Sequence, residues 1–338
     1  MASAMTAQLI STPPAEQSVA RDSSLPSPMI ARLTYIILLI PLIYLAGYKP
    51  IGISADLHNY ELLYGIAGAT DWFTLRNASD PAYYMLSKFV AEWGLSFEQF
   101  ALIIAAITCA MKIRIAQSLD TNRIVFGALY MSYLFWLHEY TQIRLAIALA
   151  FVLWGIYKPS RLMPLFLLVG MLLHSSTAMI VILYLICRFP LYGTISAFAV
   201  VVSYFTSPAL RQFAESAANK VLIYQDLVNL GQFSEINIFN LLTMTQVATM
   251  MIALPFLKGM TKMHLFEVVT SIAGVIMFYV FRDNPVVAFR TNELSIPFFE
   301  IFLARMWSRH PVFKGLAAIY FVIGLRSAFF SASSLIVF

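Results

Sequence analysis

Charged residues are scarce in this sequence, since Asp, Glu, Lys and Arg make up 12% of its 338 residues while 60% are hydrophobic. The mean hydropathy is +0.77. A soluble globule of this length needs far more polar surface than this composition supplies. The composition therefore excludes a soluble protein and indicates that most of the chain sits in lipid.

Cysteine is equally rare. Cys109 and Cys187 both fall in apolar stretches, without a Cys or His nearby at metal-ligand spacing, so we expect neither a disulfide framework nor a metal site. The alternating pattern of membrane β-barrels is also missing, because the apolar runs are continuous. Helices remain as the way to satisfy the backbone in a bilayer. The predicted fold class is an all-α, polytopic transmembrane helix bundle.

The order of apolar and polar stretches predicts how the chain is organised. Residues 1–29, rich in Ser, Pro, Ala and Gln, are predicted to be a disordered cytoplasmic tail, and 30–338 a single membrane domain. Two polar stretches, about 49–96 and 208–236, are predicted as large non-cytoplasmic loops. Apolar segments are expected near 30–48, 97–111, 124–138, 143–157, 162–173, 175–187, 190–207, 237–257, 265–281, 293–305 and 315–336.

Lys and Arg are spread over short loops and form no single basic stripe, which argues against a nucleic-acid partner. The positive-inside rule instead assigns these loops to the cytoplasm, together with the N-terminus. It also turns 162–187 into a hairpin of two short helices at His174-Ser175, giving eleven segments. A single span there would give ten. The basic clusters are Arg21/Arg32, Lys112/Arg114/Arg123, Lys158/Arg161, Arg188, Lys258/Lys262 and Arg305/Arg309/Lys314.

The same topology sends an unusual set of polar residues to the non-cytoplasmic face. They come from five separate connections. Ionisable groups near lipid are costly unless they are paired or hydrated, so a convergent set predicts a water-filled cavity that opens to this face. The set is Asp56, Asp80, His138, Glu139, Gln142, Arg144, His174, Arg282, Asp283, Arg290 and Glu293.

Two arginines stand at predicted helix mouths. Arg144 lies about one turn inside an apolar helix, and Arg290 opens the segment near 293–305. Because a guanidinium binds phosphate oxygens bidentately, two such residues would suit a pyrophosphate. Simpler interpretations remain open. In these, Arg144 would snorkel to the interface or pair with Glu139, and Arg290 would pair with Glu293 one helical turn further on.

Four further residues have a structural and a functional interpretation each. His174, at the hairpin tip, is a hydrogen-bonded packing residue or a proton acceptor facing a ligand. Asp80 caps a helix that begins with Pro81, or takes part in chemistry. Tyr83 and Tyr84 belong to an interfacial belt or form a platform on which sugars stack. The apolar positions of their helix recur at helical spacing, so we expect it to lie along the membrane surface.

Four short pieces, in this order, resemble the EpsG-like, Wzy-type polysaccharide polymerase family. They span roughly residues 56–300, whereas the N-terminal tail and the region after Arg290 carry no matching piece. The pieces are Asp80-Pro81-Ala82-Tyr83-Tyr84 with the helix to Phe89, Gln142-Ile143-Arg144 before Leu-Ala-Ile-Ala-Leu, Leu173-His174-Ser175-Ser176 after a basic loop, and Arg290.

The resemblance implies a glycosyltransferase of the bacterial inner membrane with a GT-C-like helical architecture. Such an enzyme transfers a growing O-antigen or exopolysaccharide glycan from undecaprenyl pyrophosphate to the next lipid-linked repeat unit. It implies lipid-linked oligosaccharides and membrane lipid as partners and allows for a chain-length regulator. It requires no cofactor, and arginines could replace a divalent metal in neutralising the leaving group.

The roles implied by the resemblance follow these residues. Arg144 and Arg290 hold the pyrophosphate, and His174 or Asp80 is favoured as the base that takes the proton from the attacking sugar hydroxyl. Further candidates for the base are Asp56, His138, Glu139 and Asp283. The remaining candidates for substrate binding are Gln142, His138, Arg282, Tyr83 and Tyr84.

Other function classes stay open at this point. A transporter or flippase of a lipid-linked or anionic substrate would also use a polar cavity among helices, although it needs groups reachable from both faces. A membrane acyltransferase could use His174. Gly-x-Ser-x-Gly and His-Glu-x-x-His motifs are missing from the sequence, which argues against the corresponding hydrolases.

Overall fold

The computed structural model describes residues 28–49, 55–76, 78–158, 160–190 and 237–330, with the isolated positions 193, 195, 222 and 226. These residues form helices and no strands, as predicted. The helices are α1 (Pro28–Gly47), α2 (Ala55–Ala69), α3 (Trp72–Arg76), α4 (Pro81–Glu92), α5 (Phe97–Ser118), α6 (Arg123–Ser132), α7 (Ile143–Tyr157), α8 (Met163–Leu173), α9 (Ala178–Arg188), α10 (Leu241–Ala253), α11 (Lys262–Val280), α12 (Pro285–Met306) and α13 (Pro311–Phe329).

Within the described ranges, three helices are long and apolar enough to cross a membrane: α5, α11 and α13. A fourth span results if α7 and the π-helical segment before it, Phe135–Thr141, count as one bent span. The total of eleven segments stays a prediction. Three predicted parts lie wholly or almost wholly outside the described residues: the tail except for its last two residues, segment 190–207 and loop 208–236.

The first polar stretch is folded, as its length predicts. It contains α2, α3 and α4, and α4 packs against α2, α5 and α8. A layer of aromatic side chains lies beneath these loop helices, because Tyr64 and Tyr83 pack against Phe100 of α5 and Tyr60 packs against Tyr83. Through this layer α2 and α4 pack against α5.

Two predicted boundaries are wrong. Helix α5 continues to Ser118 rather than ending near Met111, so Lys112 is a buried residue of this helix and not a loop residue that marks topology. Helix α12 begins at Pro285 rather than near 293. Pro285 suits the first helical position, and Asn284 Oδ1 accepts the backbone N–H of Val287, so the helix starts two turns earlier than hydropathy indicates.

The predicted hairpin at His174 is present. Helices α8 and α9 are joined by His174 and a short 3-10 turn, Ser175–Thr177. The hydroxyl of Tyr184, near the end of α9, lies 3.6 Å from Met163 Sδ at the start of α8. Each helix has 11 residues and rises about 16 Å, roughly half the hydrocarbon thickness of a bilayer. His174 therefore sits at the tip of a half-length hairpin.

Helix α12 forms the centre of the bundle, because almost all of its residues from Asn292 to Met306 are buried. It packs closely against α11, where a Cβ added at Gly274 would collide with the side chain of Ser295. The Nδ2 of Asn292 donates to Gln246 Oε1 of α10 at 3.1 Å. Small side chains and buried hydrogen bonds are the usual means of joining helices in lipid.

A sharp break separates the π-helical segment from α7, whose axes differ by 116°. Breaking a helix leaves backbone carbonyls without helical partners. Lys49 meets this need here, since its buried ammonium donates to the carbonyl oxygens of Glu139 (3.0 Å) and Tyr140. The break places Gln142 between the two segments and Arg144 in the first turn of α7.

Candidate functional site

Asp80 joins three separate parts of the chain. Its side chain is fully buried, and its Oδ2 lies 3.0 Å from Arg144 Nη1 of α7. Its Oδ1 accepts the backbone N–H of Ser175 at 2.8 Å and lies 3.5 Å from His174 Nδ1. We call these four residues the Asp80 cluster. Three residues that the sequence offered as separate candidates, Asp80, Arg144 and His174, therefore meet in one place.

The interpretation of Asp80 as a capping side chain is correct in its position but wrong in its hydrogen bond. Asp80 does occupy the N-cap position of α4, but its side chain makes no capping hydrogen bond. The carboxylate points instead towards Arg144 and Ser175, which lie 64 and 95 residues later in the sequence. The carboxylate at this N-cap position thus makes tertiary contacts instead of a local capping hydrogen bond.

Arg144 is held between an acid and aromatic faces. Its guanidinium carbon lies 5.6 Å from the ring centre of Tyr60 and 5.9 Å from that of Tyr83, a geometry that stabilises a cation. The side chain keeps 18% of its surface exposed, and within the described part of the chain its buried Nε has no hydrogen-bond partner. The interpretation that Arg144 pairs with Glu139 is wrong, because its acidic partner is Asp80. The guanidinium is thus preorganised by Asp80 and the two rings.

Arg290 forms a second group with residues from α2 and from the helix break. Its Nη2 donates to Asp56 Oδ2 at 2.6 Å, and its Nη1 lies 3.7 Å from Glu293 Oε2. Gln142 Nε2 donates to the same Glu293 oxygen at 3.1 Å. We call these four residues the Arg290 cluster. The pair with Glu293 that the sequence suggested exists, but the contact with Asp56 is shorter. Arg290 lies in the second turn of α12 rather than at its mouth.

Tyr60 connects the two clusters. It lies on α2 within electrostatic range of Arg144 and Asp80 on one side and of Arg290 and Asp56 on the other. Burial raises the pKa of Tyr60 to about 12, against the opposing effect of Arg144, so its hydroxyl is neutral at physiological pH. The two clusters together form one polar site next to α2, with one guanidinium contributed by α7 and the other by α12.

A comparison with protein families assigns the chain. The model of the EpsG family matches residues 32–336, which is nearly the whole sequence. The chain belongs to the EpsG family. No curated protein and no solved structure matches it.

Membership of the EpsG family indicates a polysaccharide-polymerase type of role, and the apolar helices agree with a membrane protein. The match covers the four pieces on which the sequence-based resemblance depends, from Asp80 to Arg290. The family recognised in the sequence is thus confirmed.

In this EpsG-family protein, Glu139 makes its contacts with two lysines rather than with the two arginines, whereas His138 lies within electrostatic range of Lys112 and Arg290. Glu139 is 2% exposed, and its Oε1 forms an ion pair with the buried ammonium of Lys112. Lys49 donates to the backbone carbonyl of the same residue. His138 is fully buried, and neither ring nitrogen has a hydrogen-bond partner among the described residues. The contacts of Glu139 are those of a brace for the helix break rather than of a group that can reach a substrate.

Sequence reasoning missed Lys49 and Lys112 as parts of this arrangement. Lys112 carried a signal, because it follows an apolar run without an intervening turn residue. A continuous helix through it would have placed its charge inside the bundle. Lys49 lies two residues after the end of α1 and carried no comparable signal.

The remaining candidates lie at the edges of the site or outside it. Tyr83 is fully buried beneath Arg144, so its ring supports the guanidinium and is covered from solvent. Tyr84 is half-buried next to it. The side chain of Arg282 is 63% exposed and lies 3.7 Å from Asp283, which is 89% exposed. The structure thus gives Arg282 a solvated pair with its neighbour and no contact with either cluster.

Proposed function

We propose that the protein is a membrane-embedded glycosyltransferase that polymerises a polysaccharide. It would transfer a growing glycan from undecaprenyl pyrophosphate to the next lipid-linked repeat unit, on the periplasmic side of the bacterial inner membrane. One observation carries the proposal: Arg144 and Arg290, 146 positions apart in sequence, both lie within electrostatic range of Tyr60 on α2, and each is paired with a carboxylate. An anionic substrate group can use the same guanidinium donors.

The proposed role of the arginines is to stabilise the leaving group. When the bond between the sugar C1 and the pyrophosphate oxygen breaks, negative charge develops on that oxygen. Arg144 and Arg290 remain cationic at any physiological pH and would neutralise this charge from fixed positions. The reaction would then need no divalent metal ion.

The proposed base is His174, oriented by Asp80. The hydroxyl oxygen of the acceptor sugar forms the new bond to C1, and its proton must leave as this bond forms. Because Nδ1 of His174 faces Asp80 Oδ1, the other ring nitrogen, Nε2, would accept the proton. Asp80 would thus act as an orienting carboxylate, as in other acid–histidine pairs. Asp56 and Glu139 are engaged with Arg290 and Lys112 and are less suited to this role.

The test is a polymerisation assay with purified protein and lipid-pyrophosphate-linked repeat units, with products resolved by size. The wild type should give a ladder of products that persists in excess EDTA. Arg144→Lys and Arg290→Lys keep the charge but remove the bidentate geometry, and each should lower the rate by about 100-fold. Arg309→Lys is the matched control, because it makes the same substitution at an exposed arginine that belongs to neither cluster.

Three results would contradict the proposal. A ladder that disappears with EDTA and returns with magnesium would show that a metal performs the role given to the arginines. Wild-type rates in both lysine variants would show that the two arginines do not stabilise the leaving group. The third is a failure of the wild type to form any product from authentic lipid-linked repeat units.

A transporter is the second candidate, favoured by polar residues at the other end of α12. Arg305 Nε lies 3.2 Å from Glu267 Oε1, which also accepts from the hydroxyl of Tyr157 at 2.9 Å, and Glu300 is fully buried between the two ends. A substrate pathway through the bundle would require such groups along its length. Movement of a lipid-linked substrate across vesicles, without formation of a glycosidic bond, would support this alternative.

A further inference from the structure

Two acid–arginine pairs join the helices of the first polar stretch to α7 and α12. Asp56 belongs to α2 and Asp80 directly precedes α4, whereas their partners Arg290 and Arg144 belong to α12 and α7. The acids therefore come from the first polar loop, and the arginines come from the bundle. The guanidinium groups that suit an anionic ligand are occupied by carboxylates of the protein itself.

The two pairs differ in how easily an anion could replace the carboxylate. Asp80 is fully buried and is also held by the backbone N–H of Ser175. Displacing it would leave a charge buried without its partners, which is costly. The Asp56 side chain is 34% exposed, and within the described residues Arg290 is its ion-pair partner. A partly exposed pair is weak and exchanges readily with other ions.

Arg290 would remain in place if Asp56 left. Its Nη1 also faces Glu293 Oε2, which is fixed in turn by the amide of Gln142. The guanidinium would keep this orientation while the donor on Nη2, now used by Asp56, became available. A phosphate carries more charge than a carboxylate and offers more acceptor oxygens, so it can compete for this donor.

We propose that Asp56 is an internal competitor for the anion that Arg290 binds, and that α2 is a lid which this competition releases. A phosphate or pyrophosphate group, lipid-linked or free, takes the place of the Asp56 carboxylate. Helix α2 then loosens over the site, while Asp80 keeps the start of α4 anchored. Tyr60, which is 6% exposed on α2 between the two arginines, becomes accessible. The identity of the ligand rests on the proposed function, but the competition itself needs no glycosyl transfer.

The first experiment measures binding of inorganic pyrophosphate to the purified protein by calorimetry. Asp56→Asn keeps the size of the side chain and removes its charge, so it should bind pyrophosphate about fivefold more tightly than the wild type, the scale that a partly exposed ion pair supports. Asp71→Asn is the control. It makes the same charge change in the same loop, where Asp71 is exposed and accepts from Thr74. An unchanged or weaker affinity of Asp56→Asn would overturn the competition.

The second experiment follows amide hydrogen exchange of the wild type with and without pyrophosphate. Amides of α2 should exchange at least several-fold faster when pyrophosphate is bound, while those of α4 stay as slow as before. Slower or unchanged exchange in α2 would overturn the lid. No substitution is needed, so a folding defect cannot confuse the result.

A third arm repeats the binding measurement with undecaprenyl pyrophosphate in nanodiscs and separates the possible ligands. Tighter binding of both anions by Asp56→Asn supports a lipid-linked ligand, and tighter binding of inorganic pyrophosphate only assigns the site to a free anion. If Asp56→Asn binds more tightly but the wild type forms no polymer, the competition by Asp56 holds and the glycosyltransferase proposal fails. If the wild type forms polymer but both proteins bind pyrophosphate equally well, the glycosyltransferase proposal holds and the competition fails.

Discussion

At the scale of the residue, Asp80 shows how one carboxylate can serve two functional groups. One oxygen faces Arg144, and the other faces His174 and the N–H of Ser175. A base and a cation are therefore positioned by the same side chain. The short motif before α4 predicted an acid at a helix start, but its partners lie far along the chain.

We predict that Asp80→Asn abolishes polymerisation and destabilises the protein by about 3 kcal/mol, because Arg144 is left largely buried without its partner. Replacing Arg144 as well, in Asp80→Asn/Arg144→Met, should recover part of this stability and none of the activity. Thermal unfolding in detergent and the ladder assay measure the two effects. A double variant less stable than both single variants would show that the pair does not account for the loss.

At the scale of the element, the break before α7 decides where two site residues lie. The π-helical segment ends at Thr141, Gln142 bridges the break, and Arg144 follows within one turn. Buried cations compensate the interruption, with Lys49 on the carbonyls and Lys112 on the side chain of Glu139. π-helical segments are frequent at functional sites, where they redirect side chains.

We predict that Lys112→Met destabilises the protein by about 3 to 5 kcal/mol, since it leaves the charge of Glu139 buried and unpaired. The double variant Lys112→Met/Glu139→Leu should regain most of this stability, because an apolar pair of similar size needs no compensation. Thermal unfolding of the three proteins in detergent tests this expectation. If both variants lose the same stability, the ion pair is not the source of the effect.

At the scale of the whole molecule, α12 links two polar ends of the bundle. Arg290 lies at one end and Arg305 at the other, 15 residues further on, which corresponds to a rise of about 22 Å along a helix. Arg305 was interpreted from the sequence as a cytoplasmic loop charge, but it lies in the last turn of α12, where its side chain is 10% exposed and paired with Glu267. Its Nη1 also donates to the backbone of Asp120 at 2.8 Å, so this end is tied across several helices.

We predict that the two ends face opposite sides of the membrane, with the candidate site outside. In a background where Cys109 and Cys187 are replaced by alanine, Asp71→Cys should react with a membrane-impermeant maleimide added to intact spheroplasts. Lys314→Cys should react only after lysis. Both positions are polar and lie outside the two clusters. The reverse pattern would contradict the positive-inside assignment.

The sequence by itself determined the membrane class, the helical fold, the family and the approximate positions of the described segments. These follow from hydropathy and short motifs, which are local properties of the chain. It also singled out Asp80, Arg144 and His174, because polar groups within or beside apolar runs are costly unless they have a purpose. The boundaries of α5 and α12 were missed, since Lys112 interrupts the apolar run of α5 and the polar residues Arg290, Thr291 and Asn292 separate the apolar first turn of α12 from its apolar centre.

Only the tertiary structure decided which charges meet. The pair of Arg290 and Asp56 joins positions 234 residues apart, and Glu139 pairs with Lys112 rather than with Arg144. Several acids were compatible with each cation in the sequence. The choice among them depends on how the helices pack and where the helix before α7 breaks, and both are set by non-local contacts that no local pattern of residues contains.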